Sequence, residues 1–223
     1  MALSDLRTLV DEFTRDEAAR LQPAARDRAL ELAVRQYGKD RPRTLVADLP
    51  GGSALLDLPA SWTEAESRAL AVECPVGLVP PALLTADLFA IVPTPAGPKL
   101  RLALTPGADE AVRLVYTAPH RLDAVEDTIP PGDREAVAAY AAALLQDQLA
   151  AAASGSGDST IIADSVNHGG KAAEFAARAR ALRQRYQELL GIDPKRTRGA
   201  SATSQHRSPT LSALGRMFPR RRA

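Results

Sequence analysis

Across 223 residues the formal charges nearly cancel, 28 Lys and Arg against 27 Asp and Glu, but no acid follows Asp193 while eight basic residues do. Residues 1–193 therefore hold 20 basic residues against 27 acids, a net of −7, and the last thirty carry +8. The length suits one large domain or two small ones with a real apolar core, and the single cysteine, Cys74, excludes an intramolecular disulfide and any Cys-based zinc site, which points to a reducing compartment. The start, Met-Ala-Leu-Ser-Asp-Leu-Arg, lacks a basic segment followed by an apolar one, so export is not expected. The longest apolar stretch, Val137 to Ala153, is interrupted by Gln146, Asp147 and Gln148 and falls short of the ~20 residues of a membrane span. The expectation is a soluble chain with no membrane partner.

Ser4 is placed to cap a first helix in which Leu6, Leu9, Val10 and Phe13 form one apolar stripe. Pro23 suits the first position of a second helix, with Leu30, Ala33, Val34 and Tyr37 on its apolar face and Gly38 and Arg41-Pro42 marking its end. Residues 1–38 read as a helical hairpin. From Thr44 the period shortens. Thr44–Asp48 and Ala54–Leu58 flank Pro50-Gly51-Gly52 as arms of a β-hairpin, and Ala69–Cys74, Asp87–Val92, Lys99–Thr105 and Ala111–Thr117 are further strands. In the last two, Leu100, Leu102 and Leu104, then Val112, Leu114 and Tyr116, point one way, which predicts a meander with one buried face. Ser61–Glu64 matches a capping box that would start a helical turn around Trp62.

Helix resumes at Asp133 after Pro130-Pro131-Gly132 and runs through Val137, Tyr140, Ala141, Leu144 and Leu149 into an alanine run, followed by a Ser154-Gly155-Ser156-Gly157 loop. A last helix carries Phe175, Ala179, Leu182, Tyr186, Leu189 and Leu190 on one face, with Arg178, Arg180, Arg183 and Arg185 largely around the rest, and stops at Gly191. The predicted fold class is α+β. A mainly helical bundle of four helices comes from residues 1–43 and 121–193, a small antiparallel β-domain is inserted at 44–120, and residues 194–223 form a flexible basic tail.

Chemistry is hard to find. Gly169-Gly170-Lys171 before a helix invites comparison with a phosphate loop, but Ser165 stands where that motif needs Gly and Ala172 where it needs Ser or Thr. His120, His168 and His206 are too scattered for a zinc site. Asp123, Glu126 and Asp127 near His120 could supply a general acid and base, though such a run before a helix reads first as a solvated loop. Ser53 lacks a nucleophile elbow, and Cys74 in an apolar strand reads as a core filler. The expectation is no enzyme, no catalytic residue, no cofactor and no metal.

The tail offers more. Leu211, Leu214, Met217 and Phe218 would share one side of two helical turns, with Arg216, Arg220, Arg221 and Arg222 beside them, which suits a groove on another protein. These eight are the candidate partner-binding residues. The same arginines could instead neutralise phosphates in a nucleic-acid-binding accessory protein, although Phe218 alone makes a poor stacking platform. A weak membrane-surface anchor and a merely solubilising tail are the remaining readings.

Three stretches together have a familiar order. They are Ala29-Leu30-x-x-Ala33-Val34-x-x-Tyr37-Gly38-x-x-Arg41-Pro42, then Val72-Glu73-Cys74-Pro75-Val76-Gly77 with Pro80-Pro81, then Ala181-Leu182-Arg183-Gln184-Arg185-Tyr186-x-x-Leu189-Leu190-Gly191. Over residues ~25 to 192 the chain resembles the head-to-tail adaptor proteins of tailed bacteriophages. The resemblance implies a structural protein of the virion neck, assembled in the host bacterial cytoplasm. It implies a homo-oligomeric ring, commonly twelve-fold, that docks on the portal protein and presents a platform to the next neck or tail component. DNA would pass through its channel without specific binding. It also implies that residues 195–223 as a whole act as an anchor on the portal. The β-insert departs from the simplest members of that family, which are bare helical bundles.

Overall fold

The apolar stripes of the first two helices do not mainly face each other. The computed structural model describes residues 3–15, 20–155 and 168–193, and within them α1 (Leu3–Thr14) and α2 (Pro23–Asp40) each lie chiefly along α3 (Arg134–Gly155), as does α4 (His168–Leu190). Helix α3 is the centre of the bundle. Ala136 to Ala139, Ala141 to Ala143, Leu145 and Leu149 are all buried, so its apolar residues run around the helix rather than along a stripe. A helix of that kind is covered on every side, and here three helices cover it. Residues Pro131–Ser154 are long and apolar enough to cross a membrane by length and composition, and this central position accounts for that apolarity. The two helices of the expected hairpin are linked by Arg7 to Asp27 (2.8 Å) and Arg26 to Asp11, and share α3 as their main packing partner.

Local signals fared unevenly. Pro23 opens α2 as expected, but Gly38 lies inside that helix, which runs to Asp40. Ser4 sits within α1, its hydroxyl on Asp5, and is no cap. At the other end Gly191 takes φ +63, and Ile192 N–H reaches Gln187 O (2.8 Å) while Gly191 N–H reaches Glu188 O (3.0 Å), a Schellman stop that satisfies the last carbonyls of α4.

The β region forms two three-stranded antiparallel sheets and is not a meander. One has the order β1 (Arg43–Pro50), β6 (Ala111–Ala118), β3 (Ala69–Glu73); the other β2 (Leu55–Asp57), β5 (Gly97–Leu102), β4 (Phe89–Thr94). The expected β1–β2 hairpin is absent because Pro50-Gly51-Gly52 turns onto the β5–β6 connection. Gly51 N–H donates to Glu110 O (2.9 Å), and a Cβ on Gly51 would meet the carbonyl oxygens of Gly107 and Glu110 at 2.4 Å. Only glycine allows that approach, and it sends the chain into the second sheet. Both sheets share one core, built on Leu49, Leu56, Val72, Leu100, Leu102, Val112, Leu114 and Tyr116. Leu104, past the end of β5, is exposed. Ser61–Glu64 makes turns, not a helix; Ser67 closes them by accepting Thr63 N–H (2.9 Å), and Trp62 tilts against Tyr116.

Residues 1–192 form one unit, and of the second, 193–223, only Asp193 is among the described residues. The predicted class is the observed one: among the described residues there are four α-helices and two small antiparallel sheets, α+β.

One polar residue lies at the heart of the bundle. Gln146 of α3 is fully buried; its Nε2 donates to Thr14 O (2.7 Å) at the end of α1, while its Oε1 has no hydrogen-bond partner. The bond satisfies a terminal carbonyl of α1, and the orphaned oxygen takes back a similar amount. Gln146→Met removes the orphaned oxygen but leaves Thr14 O without its donor, two effects of similar size and opposite sign, so unfolding free energy should change by less than ~1 kcal/mol in urea titrations.

Candidate functional site

All eight candidate partner-binding residues, Leu211, Leu214, Arg216, Met217, Phe218, Arg220, Arg221 and Arg222, lie outside the described residues. What the described residues do bring together is the first and last of the three familiar stretches. Tyr37, near the end of α2, donates its hydroxyl to Asp133 Oδ2 (2.6 Å), and Arg41 Nη1 reaches the same carboxylate (3.1 Å). Arg41 Nη2 also donates to Leu190 O (2.9 Å), capping α4. One turn earlier on α4, Tyr186 donates to Asp40 Oδ2 (2.7 Å), which accepts Gln36 Nε2 as well (2.8 Å). Tyr140 of α3 lies against Tyr186, the rings tilted by 55° with centroids 4.9 Å apart. The C-terminal ends of α2 and α4 and the start of α3 are thereby tied at one point.

Burial, then the hydrogen bond to Asp133, pushes the Tyr37 hydroxyl far above its ordinary value; burial, then Asp40, does the same for Tyr186. Both rings are almost wholly enclosed and act as fixed donors to carboxylates, not as acids. Sequence reading placed both tyrosines on apolar faces and Asp133 at a helix start. It missed that their hydroxyls need acceptors, and a buried Tyr beside an Asp in the neighbouring helix end is the signal that was available.

His120 belongs to the same junction. Its ring tilts over Tyr37 (4.7 Å), Nε2 faces Arg41 O (3.0 Å) and Nδ1 faces Thr128 Oγ1 (3.1 Å), so it fastens the exit of β6 to the end of α2. The acids after it are engaged in building the loop. Asp123 accepts the N–H groups of Val125 and Glu126 (both 2.7 Å), which holds its carboxyl below the usual range. Asp127 pairs with Arg134 (2.7 Å) and accepts Ile129 N–H (3.0 Å); Glu126 lies against Arg43 and Arg121. The loop is solvent-exposed as expected, with Val125 97% exposed, and its acids are engaged in internal hydrogen bonds and ion pairs. Gly169-Gly170-Lys171 falls in the first turn of α4. Ser53 Oγ accepts Leu55 N–H (3.0 Å), and Cys74 is buried, with burial and Glu110 pushing its thiol up. A cavity of about 200 Å³ between α1, α2 and α3 is lined by Asp11, Thr14, Arg26 and Leu145 among others, with Asp11 and Arg26 paired. Among the described residues no three His, Cys, Asp or Glu stand close enough to hold a metal ion.

The arginine face of α4 is largely spent within the bundle. Arg183 pairs with Asp147 and Arg185 with Glu135, both on α3, while Arg178 pairs with Glu174 and Arg185 also lies over the Phe13 ring (4.8 Å). Arg180 stays exposed.

No family model and no curated protein matches the chain. Among solved structures it is similar to a chain described as the neck of an empty GTA particle, computed with C6 symmetry, at 19% identity and a TM-score of 0.25, over 79% of this chain and 87% of that one. A likeness that slight carries no argument about fold or role.

Proposed function

We propose that this chain is a structural head-to-tail adaptor of a tailed-phage-type virion neck. Copies form a homomeric ring on the portal, offer a platform to the next neck or tail component, and use residues 194–223 as the portal anchor. It catalyses nothing and holds no cofactor. DNA passes through the ring unbound.

The observation that carries this reading is the closure of the first and last familiar stretches on each other at Tyr37, Asp40, Arg41, Asp133, Tyr186 and Leu190. Residues 146 and 149 positions apart that meet in one network explain why those spacings occur together without any catalytic motif. Their physical purpose is to fix where α4 ends, immediately before the basic segment begins. The charge division supports the same reading. A net of −7 on residues 1–193 weakens attraction to duplex phosphates, as a conduit requires, while +8 on the remainder suits an acidic docking surface.

A second reading has its own observation, the terminal Pro219-Arg220-Arg221-Arg222, which suits an accessory protein that binds nucleic acid. Native mass spectrometry of the full chain mixed with the portal ring from the same genome separates the two. The adaptor predicts a discrete complex carrying a fixed multiple of 23.7 kDa. No complex, under salt conditions where duplex DNA is retained, would replace it with the nucleic-acid reading.

A further inference from the structure

Strand β1 is an edge of its sheet, and its sequence brackets that edge symmetrically. Gly51 N–H bonds Glu110 O and Thr117 N–H bonds Arg68 O, both at 2.9 Å, and the β1–β6 register is continuous from Arg43↔Ala118 to Pro50↔Ala111. Opposed residues in an antiparallel ladder alternate between exchanging both hydrogen bonds and exchanging none. The odd-numbered residues of β1 therefore spend their backbone groups on β6, and Thr44, Val46 and Asp48 turn theirs to the open edge. Among the described residues no strand lies there. The side chains of these three are exposed, Val46 at 59%.

Pro50 occupies the next edge-facing position, where a missing N–H costs no ladder bond, and Pro42 the corresponding one before the strand. Each stands four residues from Val46. Edge strands are commonly blunted by proline or charge. Here the prolines close both ends of a window and leave its middle open.

We infer that this window pairs with the same window of a second copy, antiparallel and centred on Val46. The sequence is self-complementary in that register. Val46 meets the second copy's Val46, Thr44 lies opposite the second copy's Asp48, and Pro42 lies opposite its Pro50, so both proline stops coincide. The charge pattern permits it: each Asp48 is already held by its own Arg113 (2.8 and 2.9 Å), and the two carboxylates fall at opposite ends of the window. The joined sheet runs β3-β6-β1 into β1-β6-β3. A window with three edge-facing residues on each copy gives a dissociable dimer, since stable interfaces bury more. The inference concerns the free chain and does not rest on the adaptor reading: a two-fold pairing of identical strands cannot recur around a head-to-tail ring, so assembly on a portal would displace it.

Sedimentation velocity of the full chain across a concentration series should show a monomer–dimer equilibrium. Val46→Lys, which puts two ammonium groups face to face on the exposed surface, should weaken it at least tenfold without changing the thermal transition. The register is read separately. With diamide as oxidant, Val46→Cys should form a disulfide-linked dimer, because paired Cα atoms about 5.5 Å apart lie within disulfide range; Thr44→Cys should not, since the two copies of residue 44 are offset by four positions. The native Cys74 is buried and provides the background. A chain that stays monomeric throughout, a dimer or larger ring indifferent to Val46→Lys, or equal cross-linking by the two cysteines would overturn the inference.

Discussion

Above pH 10 the protein should lose stability steeply, and Tyr37→Phe with Tyr186→Phe should remove most of that loss. Both hydroxyls are pushed well above the ordinary tyrosine value, chiefly by burial and secondarily by the carboxylates they bond, Asp133 and Asp40. A group whose folded pKa is raised contributes stability that is fully present below its unfolded value. That contribution fades as pH rises towards the folded value, because the unfolded chain releases a proton that the folded one retains. Each tyrosine then withdraws about 1.4 kcal/mol per pH unit, and the pair about 2.7, a large share of a typical stability of ~5–15 kcal/mol.

At pH 7 the order reverses. Each Phe variant forfeits one hydrogen bond to a charged acceptor, a loss of ~1.5–3 kcal/mol that Arg41 and Gln36, still bonded to the same carboxylates, should hold near the lower figure. Urea titrations from pH 7 to 12 should therefore show the double variant less stable at neutrality but flatter in alkali, with the curves converging. Parallel curves would mean that the junction tyrosines do not govern the alkaline limb.

The legible parts of this fold were those set by local chemistry. Pro23, Gly191 and the alternation of Val112, Leu114 and Tyr116 each predicted an element, and the element is there. Pairing was another matter. Nothing local to Pro50-Gly51-Gly52 says whether the chain turns back on β1 or passes to a second sheet; that is decided by the close approach of Gly51 to Gly107 and Glu110, more than fifty residues later. The same holds for the helices. The stripes on α1 and α2 predicted burial but not against what, and α3, apolar all round, is the answer that a stripe-based reading under-weighs. At the junction the sequence shows the residues only as a spacing pattern, whereas their function as hydrogen-bond partners depends on Asp40 and Asp133, which periodicity treats as ordinary polar positions.

Truncation after Asp193 is the sharper test of the proposed anchor. The described body has its own core, and α4 is closed by Gly191 and by Arg41 on Leu190 O, so removal of residues 194–223 should leave its thermal transition in place. Portal binding should fall at least a hundredfold, because the removed segment holds all eight basic charges set against an acidic body and the apolar set Leu211, Leu214, Met217 and Phe218. The two sets have separable kinetic signatures. Replacing Arg216, Arg220, Arg221 and Arg222 by Gln should lower the association rate and flatten its salt dependence, as rim charges do. Replacing the four apolar residues by Ala should leave association nearly unchanged and speed dissociation, where most affinity differences reside. If the truncated chain binds the portal as well as the whole one, the contact lies on residues 1–193, and the exposed Arg180 on α4 together with the Leu78-Val79 turn would be the next surfaces to alter.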